Sequence, residues 1–471
     1  MKTFTKQLSS ALLITFLLGL ATNLWAQRNV SYRDLAMRNQ ERPISFDFIV
    51  LPGDSESEVR FTSVFSFSYS YLPFKKTGDR SSENQFFSAA NLSMEVFKAG
   101  KNFGKRKRDE NIAVEGLEPA GRALWADTAY AKTYDQSQSK TDHLHGYLDV
   151  ALEPGNYNYV LQMKRGEETE SRMSRTQSVR LYPYSEMPTG NIILGKKLQT
   201  NNNTPRMQLT TMGSNVEYAK NFYLMAYLPG HQSGDNYSLT INKLAVADED
   251  TSTRAEVYNT NLSENDIRTG IHPNISSTDQ QSYINLHASD QGYAYALLEI
   301  PNKNFPNALY QLTIEKDGQK PPVARGTYRS LWVDMPTSLL NLDVAVDMLR
   351  FVADDKTIDD LSSGSQMERE KKFREYWKKR DPTPNTEFNE LMAEYYRRID
   401  YAYRNYTSNN VLGYNSDQGE VYIKFGPPQN IERKFPTDGA TTEVWTYQNR
   451  RFVFKATTGF GDFKLVNNQS E

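Results

Sequence analysis

Phe65-Ser66-Phe67-Ser68-Tyr69-Ser70-Tyr71 alternates an aromatic residue with a serine at every step. A period of two puts every ring on one face of an extended chain and every serine on the other, whereas a helix would scatter both around its surface. The same period flanks this stretch. Ile44, Phe46, Phe48 and Val50 alternate with Ser45 and Asp47, and Leu92, Met94 and Val96 alternate with Ser93 and Glu95. These runs read as strands with one dry and one wet face, and Pro52-Gly53 and Pro154-Gly155 read as turns. No helical period intervenes between residues 43 and 184. An antiparallel β-sandwich is therefore expected over 27–186.

Glu153-Pro154-Gly155-Asn156-Tyr157-Asn158-Tyr159 resembles the Pro-Gly-x-Tyr approach to a late strand of immunoglobulin-like sandwiches. A second unit is expected over 187–336, with strands at 222–228, 237–241, 293–300 and 310–314. The polar stretch Thr200-Asn201-Asn202-Asn203-Thr204-Pro205 reads as a linker or long loop. Asn307-Ala308-Leu309-Tyr310-Gln311-Leu312 stands where 154–159 stands in the first unit. The expectation is two related immunoglobulin-like sandwiches.

Beyond Pro336 the period changes. Leu342, Val346 and Leu349, with Ala345, Met348 and Val352, share a helical face. Ser365-Gln366-Met367-Glu368 has the form of a capping box, and a helix from there stops before Asp381-Pro382. A longer helix is expected over 385–406, with Phe388, Leu391, Met392, Tyr395, Ile399, Ala402 and Tyr406 as its dry stripe. Glu394–Arg398 and Asp400–Arg404 would be ion pairs on its wet side. Strands are expected at 421–425, 444–447, 452–455 and 463–466. The region 337–471 thus reads as α+β, helices first and a small antiparallel sheet last.

Composition narrows the function. The 471 residues hold 55 Lys+Arg against 57 Asp+Glu, 12% aromatic residues and no Cys. Balanced charge speaks against a dedicated nucleic-acid binder. The missing cysteines exclude disulfides, thiolate metal sites, a Cys nucleophile and a lipid-anchoring cysteine. At the start, Lys2 and Lys6 precede an apolar run over 11–21, and Leu24-Trp25-Ala26 ends on a small residue. This is the pattern of a secretory leader, 1–26, cleaved before Gln27. The run is too short to span a bilayer, and no later stretch is long and apolar enough to do so. Removing the leader takes the net charge from -2 to -4.

The C-terminal residues are similar to the GWxTD domain of exported proteins from Bacteroidota and related bacteria. The resemblance covers 336–471. It rests on Phe373-Arg374-Glu375-Tyr376-Trp377, Arg380-Asp381-Pro382-Thr383-Pro384, and Gly413-Tyr414-Asn415-Ser416-Asp417. Gly419-Glu420-Val421-Tyr422-Ile423-Lys424-Phe425-Gly426-Pro427-Pro428 and Glu443-Val444-Trp445-Thr446-Tyr447 complete it. Tyr414 stands in place of Trp and Ser416 in place of Thr. On this resemblance Trp377, Arg380, Asp381, Gly413, Tyr414, Asp417, Gly426, Pro427 and Trp445 are the candidate binding residues.

Two readings of these residues compete. Arg380, Asp381 and Asp417 could form a polar cluster that binds a partner or moves protons. Alternatively Asp417 caps a turn, Asp381 ends a helix beside an Arg, and the tryptophans fill a core. The second explains the residue types without a ligand. His143-Leu144-His145 puts two imidazoles on one strand face but lacks further ligands, and reads as a wet-face pair rather than half a metal site. The basic run 101–108 is either a solvated hairpin loop or a peripheral contact with anionic lipid. HExxH, GxSxG, P-loop and dinucleotide patterns are all missing from the sequence. The expectation is an exported, non-enzymatic envelope protein without cofactor or metal. It would dock an envelope partner through the GWxTD-like region, with the sandwiches as spacer and recognition surface. The competing expectation is an exported glycan-binding protein or hydrolase with its site at a domain interface.

Overall fold

The computed structural model describes residues 30–37, 43–78, 82–100, 103, 114, 116–201, 204–244, 255–437, 439–457 and 462–470. The expected leader and, Phe103 apart, the basic run 101–108 lie outside the described residues. The chain is mainly β and divides into two compact units. One is Glu41–Asp334 with Asn385–Phe388, and the other joins the N-terminal residues to Met335–Pro384 and Asn389–Glu471. Helix α1 (Tyr32–Met37) thus belongs with the C-terminal residues and not with the strands that follow it.

In the β unit the chain first forms β1 (Ile44–Pro52), β2 (Val59–Ser68), β3 (Lys75–Lys76), β4 (Phe86–Lys98), β5 (Gly121–Ala131), a helical turn α2 (Tyr134–Ser137), β6 (His143–Leu152), β7 (Gly155–Arg165), β8 (Arg172–Met173) and β9 (Gln177–Leu181). β1, β2 and β6 make one antiparallel sheet in that order, and the remaining strands pair around β4 and β7 in a second. The rings of β2 meet the second sheet, with Phe65 4.9 Å from Trp125 and Phe61 5.1 Å from Tyr159 between ring centroids.

The expected wet face of β2 is not wet. Its serines and threonines are buried as deeply as its phenylalanines. That face packs against the next set of strands, and Ser66 donates from Oγ to the carbonyl of Thr211 at 2.7 Å. Small hydroxyl side chains let two backbones approach and still find partners.

The next strands are β10 (Ile192–Asn201), β11 (Thr204–Leu209), β12 (Asn215–Glu217), β13 (Phe222–Tyr227), β14 (Tyr237–Leu244), β15 (Ala255–Asn261), β16 (Ile267–Thr278), β17 (Gln281–Ala288), β18 (Tyr293–Ile300), β19 (Leu309–Lys316) and β20 (Ala324–Leu331). The stretch expected as a linker is a hairpin, with Thr200 opposite Pro205. One sheet, β10-β11-β17-β16-β18-β13, closes on itself, and the other runs β12-β20-β19-β14-β15. β13 lies between two cores: Phe222, Leu224 and Ala226 enter one, Met225 and Tyr227 the other. The two sets of strands share a local signature. Tyr157 donates from its hydroxyl to the Glu153 carbonyl at 2.9 Å, and Tyr310 donates to the Pro306 carbonyl at 2.6 Å, each four residues back.

The C-terminal unit holds α3 (Leu342–Asp347), α4 (Asp355–Ser362), α5 (Gln366–Lys378), α6 (Glu390–Tyr406) and α7 (Asp417–Phe425). The antiparallel sheet β21 (Asn430–Lys434), β22 (Thr442–Tyr447), β23 (Arg450–Ala456) and β24 (Phe463–Ser470) follows in sequence order. The capping box at Ser365 forms with both of its bonds, and such a cap stabilises a helix start by about 1 kcal/mol. Asn389 caps α6, so Phe388 falls outside that helix and counts with the β unit, where its ring lies 5.2 Å from Trp332. Residues 421–425, expected as a strand, are the second half of α7. Their alternation imitates a strand, but Ser416 accepts the Gly419 amide and starts a helix five residues earlier.

Candidate functional site

Gly413 and Tyr414 sit in a short turn between α6 and α7. A Cβ on Gly413 would lie 1.9 Å from the Ala402 carbonyl oxygen, so no other residue lets the turn rest on α6. The Tyr414 ring is buried, edge-on to Tyr32 at 5.1 Å and stacked on Tyr403 at 6.1 Å. Ser416 Oγ accepts the Gly419 amide and donates to the Gly413 carbonyl at 2.7 Å. Asp417 is therefore not the cap. Its carboxylate accepts the Leu465 amide at 2.7 Å and faces Lys464 Nζ at 3.1 Å, tying α7 to β24.

The remaining candidates are placed with equal definition. Trp377 is buried against Tyr376, Tyr395 and Tyr396. Arg380 lies over the Tyr376 ring, 3.8 Å from its centroid, and donates to the Tyr376 carbonyl. Asp381 accepts the Thr383 amide at 2.8 Å, which fixes the turn after α5, and among the described residues no arginine forms an ion pair with it, where pairing with a nearby Arg was expected. Gly426, at φ 78°, ends α7 and accepts the Tyr447 hydroxyl at 2.8 Å. Pro427 follows it and is exposed. Arg380, Asp381 and Asp417 each have separate partners, so no acid–base cluster forms from them.

Trp445 is fully buried, and its indole N–H donates to Glu443 Oε1 at 2.7 Å. Glu443 itself is 3% exposed. Gln418 of α7 donates to the same oxygen at 3.0 Å, and Arg433 of β21 donates through Nε to Oε2 at 2.8 Å. A buried carboxylate needs this many donors to be tolerated. Sequence reading missed Glu443, Gln418 and Arg433. The signal available was the alternation Glu443-Val444-Trp445, which places the acid on the face of the tryptophan.

Sequence reading also missed α1. Tyr32 and Leu35 are buried in the core of the C-terminal unit. The Tyr32 hydroxyl donates to Asp400 Oδ1 at 2.7 Å, and the Thr337 amide donates to Oδ2 at 3.0 Å. Asp400 was expected to pair with Arg404 on a wet face. Instead it is enclosed, and burial raises its pKa despite the bonds from Tyr32 and Thr337.

In the β unit, His143 and His145 share one face of β6, as their spacing predicts, with ring centroids 5.9 Å apart. That face is not wet. His145 is buried, and its Nδ1 is hydrogen-bonded to Thr211 Oγ1 at 2.6 Å. Burial, with Lys196 and His143 nearby, lowers its pKa to about 3. Among the described residues, no group of three or more acidic or histidine side chains could hold a metal ion. No described helix is long and apolar enough to cross a membrane.

Part of what the C-terminal unit presents outward is apolar. Phe435 is 73% exposed, and Ile431 of β21 and Val466 of β24 are also exposed. The exposed Phe425 ring lies 5.1 Å from Phe452, with Arg450 stacked over it.

Comparison with known proteins adds a family. No curated protein matches the chain. Among solved structures, the C-terminal domain of the Streptococcus pyogenes antigen I/II-family protein AspA aligns over 61% of this chain and 100% of its own, at 8% identity and a TM-score of 0.14. A likeness at that level carries no argument. Residues 335–469 match the family model GWxTD domain, and the C-terminal third of this chain is a GWxTD domain.

Proposed function

We propose that this chain is an exported, non-enzymatic envelope protein whose GWxTD domain docks a protein partner, with the β modules as spacer and recognition surface. One observation carries the reading. The family residues are occupied in packing and capping, while the sheet they support leaves Ile431, Phe435 and Val466 exposed. Ile431 lies on the edge strand β21 and Phe435 directly follows it, and exposed apolar side chains that lie together are a common mark of an interaction surface. The leader pattern motivates the envelope assignment, and the first residue of the secreted protein is then Gln27.

The test is crosslinking in envelope fractions with the wild-type protein and with Ile431→Glu/Phe435→Glu. The reading expects one stoichiometric complex that the double variant loses while keeping its circular dichroism and melting temperature. A monomeric wild type that turns over a polysaccharide or peptide would overturn it.

A further inference from the structure

The small sheet of the C-terminal unit has two outer strands, and the fold treats them differently. At β24 the Leu465 amide is taken by Asp417 of α7 at 2.7 Å. At β21, among the described residues, β22 is the only strand that pairs. Every residue from 429 to 437 is exposed. Pro427-Pro428 and Pro436 bracket this stretch, so the open edge is confined to a short segment. An uncovered edge presents unpaired backbone donors and acceptors, and charged side chains on it restrict which chains can pair there.

The side chains of β21 complement one partner in particular, which is β21 itself. Ile431 stands opposite Trp445 and Arg433 opposite Glu443, so Ile431 and Arg433 share one face and Glu432 and Lys434 the other. Phe435 continues the first face by the same alternation. A two-fold axis that pairs this edge with a second copy must pass through a residue, because paired residues share a face. Through Glu432 the axis would set two carboxylates opposite each other. Through Lys434 it would set two ammonium groups opposite each other and Arg433 against Phe435. Through Arg433 it sets Ile431 against the second copy's Phe435, both exposed, and Glu432 against the second copy's Lys434. Opposite charges and apolar pairs directly across a ladder stabilise it, whereas like charges do not. The two arginines then meet at the axis, but each is already held in its own copy, Nε donating to Glu443 Oε2 at 2.8 Å. Within one chain Lys434 Nζ lies 3.6 Å from Glu432 Oε1 with both side chains exposed, a contact of little worth in water that leaves both groups available.

We propose that β21 pairs antiparallel with β21 of a second copy of this chain, about a two-fold axis at Arg433, so that the two small sheets become one continuous sheet. Strand addition takes affinity from backbone hydrogen bonds and selectivity from side-chain contacts. A five-residue edge is smaller than the interface of a permanent dimer, so the association is reversible and grows with concentration. The proposal rests on the docking reading and names the partner at the surface of Ile431 and Phe435.

The test follows the purified chain from Gln27 onward by sedimentation equilibrium up to submillimolar concentration, with circular dichroism as the check on folding. The wild type is expected to dimerise. Glu432→Lys and Lys434→Glu each set like charges across the axis, and each is expected to weaken the dimer at least tenfold. An equimolar mixture of the two variants restores both opposite-charge pairs and is expected to dimerise again. A variant that failed to fold could not be rescued in this way, so the mixture decides the matter. A wild type that stays monomeric throughout would overturn the proposal. So would single variants that dimerise like the wild type, or a mixture that stays monomeric. If the purified protein is monomeric while envelope crosslinking still yields a complex that Ile431→Glu/Phe435→Glu loses, the second copy is overturned and the docking reading stands. If the envelope complex is missing as well, both fall.

Discussion

Trp445 and Phe435 stand ten residues apart in the same small sheet region and have opposite fates. Trp445 is 0% exposed and hydrogen-bonded through Glu443 to α7 and β21, whereas Phe435 is 73% exposed and follows the outer strand. Trp445 is among the residues that carry the resemblance to the GWxTD domain, and Phe435 is not. The contrast separates residues that hold the domain from residues that its surface leaves exposed. It also explains why a family signature can name a domain without naming its ligand.

The contrast can be sharpened by breaking its buried side first. Trp445→Ala should destabilise the C-terminal unit by about 3–5 kcal/mol, the usual result of emptying a large aromatic site. Urea unfolding followed by circular dichroism measures it, and a loss under 1 kcal/mol would mean that the indole is not a core element. A smaller effect is expected at α1. Tyr32→Phe removes the bond to Asp400 and should cost about 2 kcal/mol, since hydrogen bonds to charged groups contribute roughly 1.5–3 kcal/mol. That loss would show that a segment some 300 residues upstream completes the domain.

The β unit offers a pH test. His145 binds its proton in the fold only near pH 3, whereas in the unfolded chain it does so near 6.5. Between those values the unfolded state binds more protons, so stability falls as pH drops below 6.5, by at most about 1.4 kcal/mol per unit. His145→Gln should flatten that part of the stability profile. An unchanged slope would place the acid sensitivity elsewhere.

The alternation from Phe65 to Ser68 is enough to identify the sheet, although Tyr69–Tyr71, read as its continuation, leave the strand as a single turn of 3-10 helix. Ser365 with Glu368 is enough to start α5, and both signals are local. The second burial of β2 is not local. Nothing in Ser66 says that the carbonyl of Thr211 will approach it. Residues 421–425 mislead because three apolar residues at a spacing of two fit a strand and a helix enclosed on several sides equally well, and only the cap at Ser416 decides. Asp417 was legible as a residue of structural importance, yet its partner lies on a strand 48 residues further on. The candidate site divides in the same way. The turn at Gly413 and the burial of Trp377 and Trp445 follow from residue type. The bonding of Glu443 by Trp445, Gln418 and Arg433 depends on tertiary placement.

The account stands or falls on one paired measurement. Asp417→Asn and Ile431→Glu/Phe435→Glu are each followed by thermal melting and by partner crosslinking in the same envelope preparation. Asp417→Asn should lose stability on the order of 1 kcal/mol and, well below its melting temperature, keep the complex. The double glutamate variant should melt like the wild type and lose the complex. The reverse pattern, a fully stable Asp417→Asn that no longer captures the partner beside a double variant that still does, would contradict the claim that the signature residues shape the domain and the sheet surface binds.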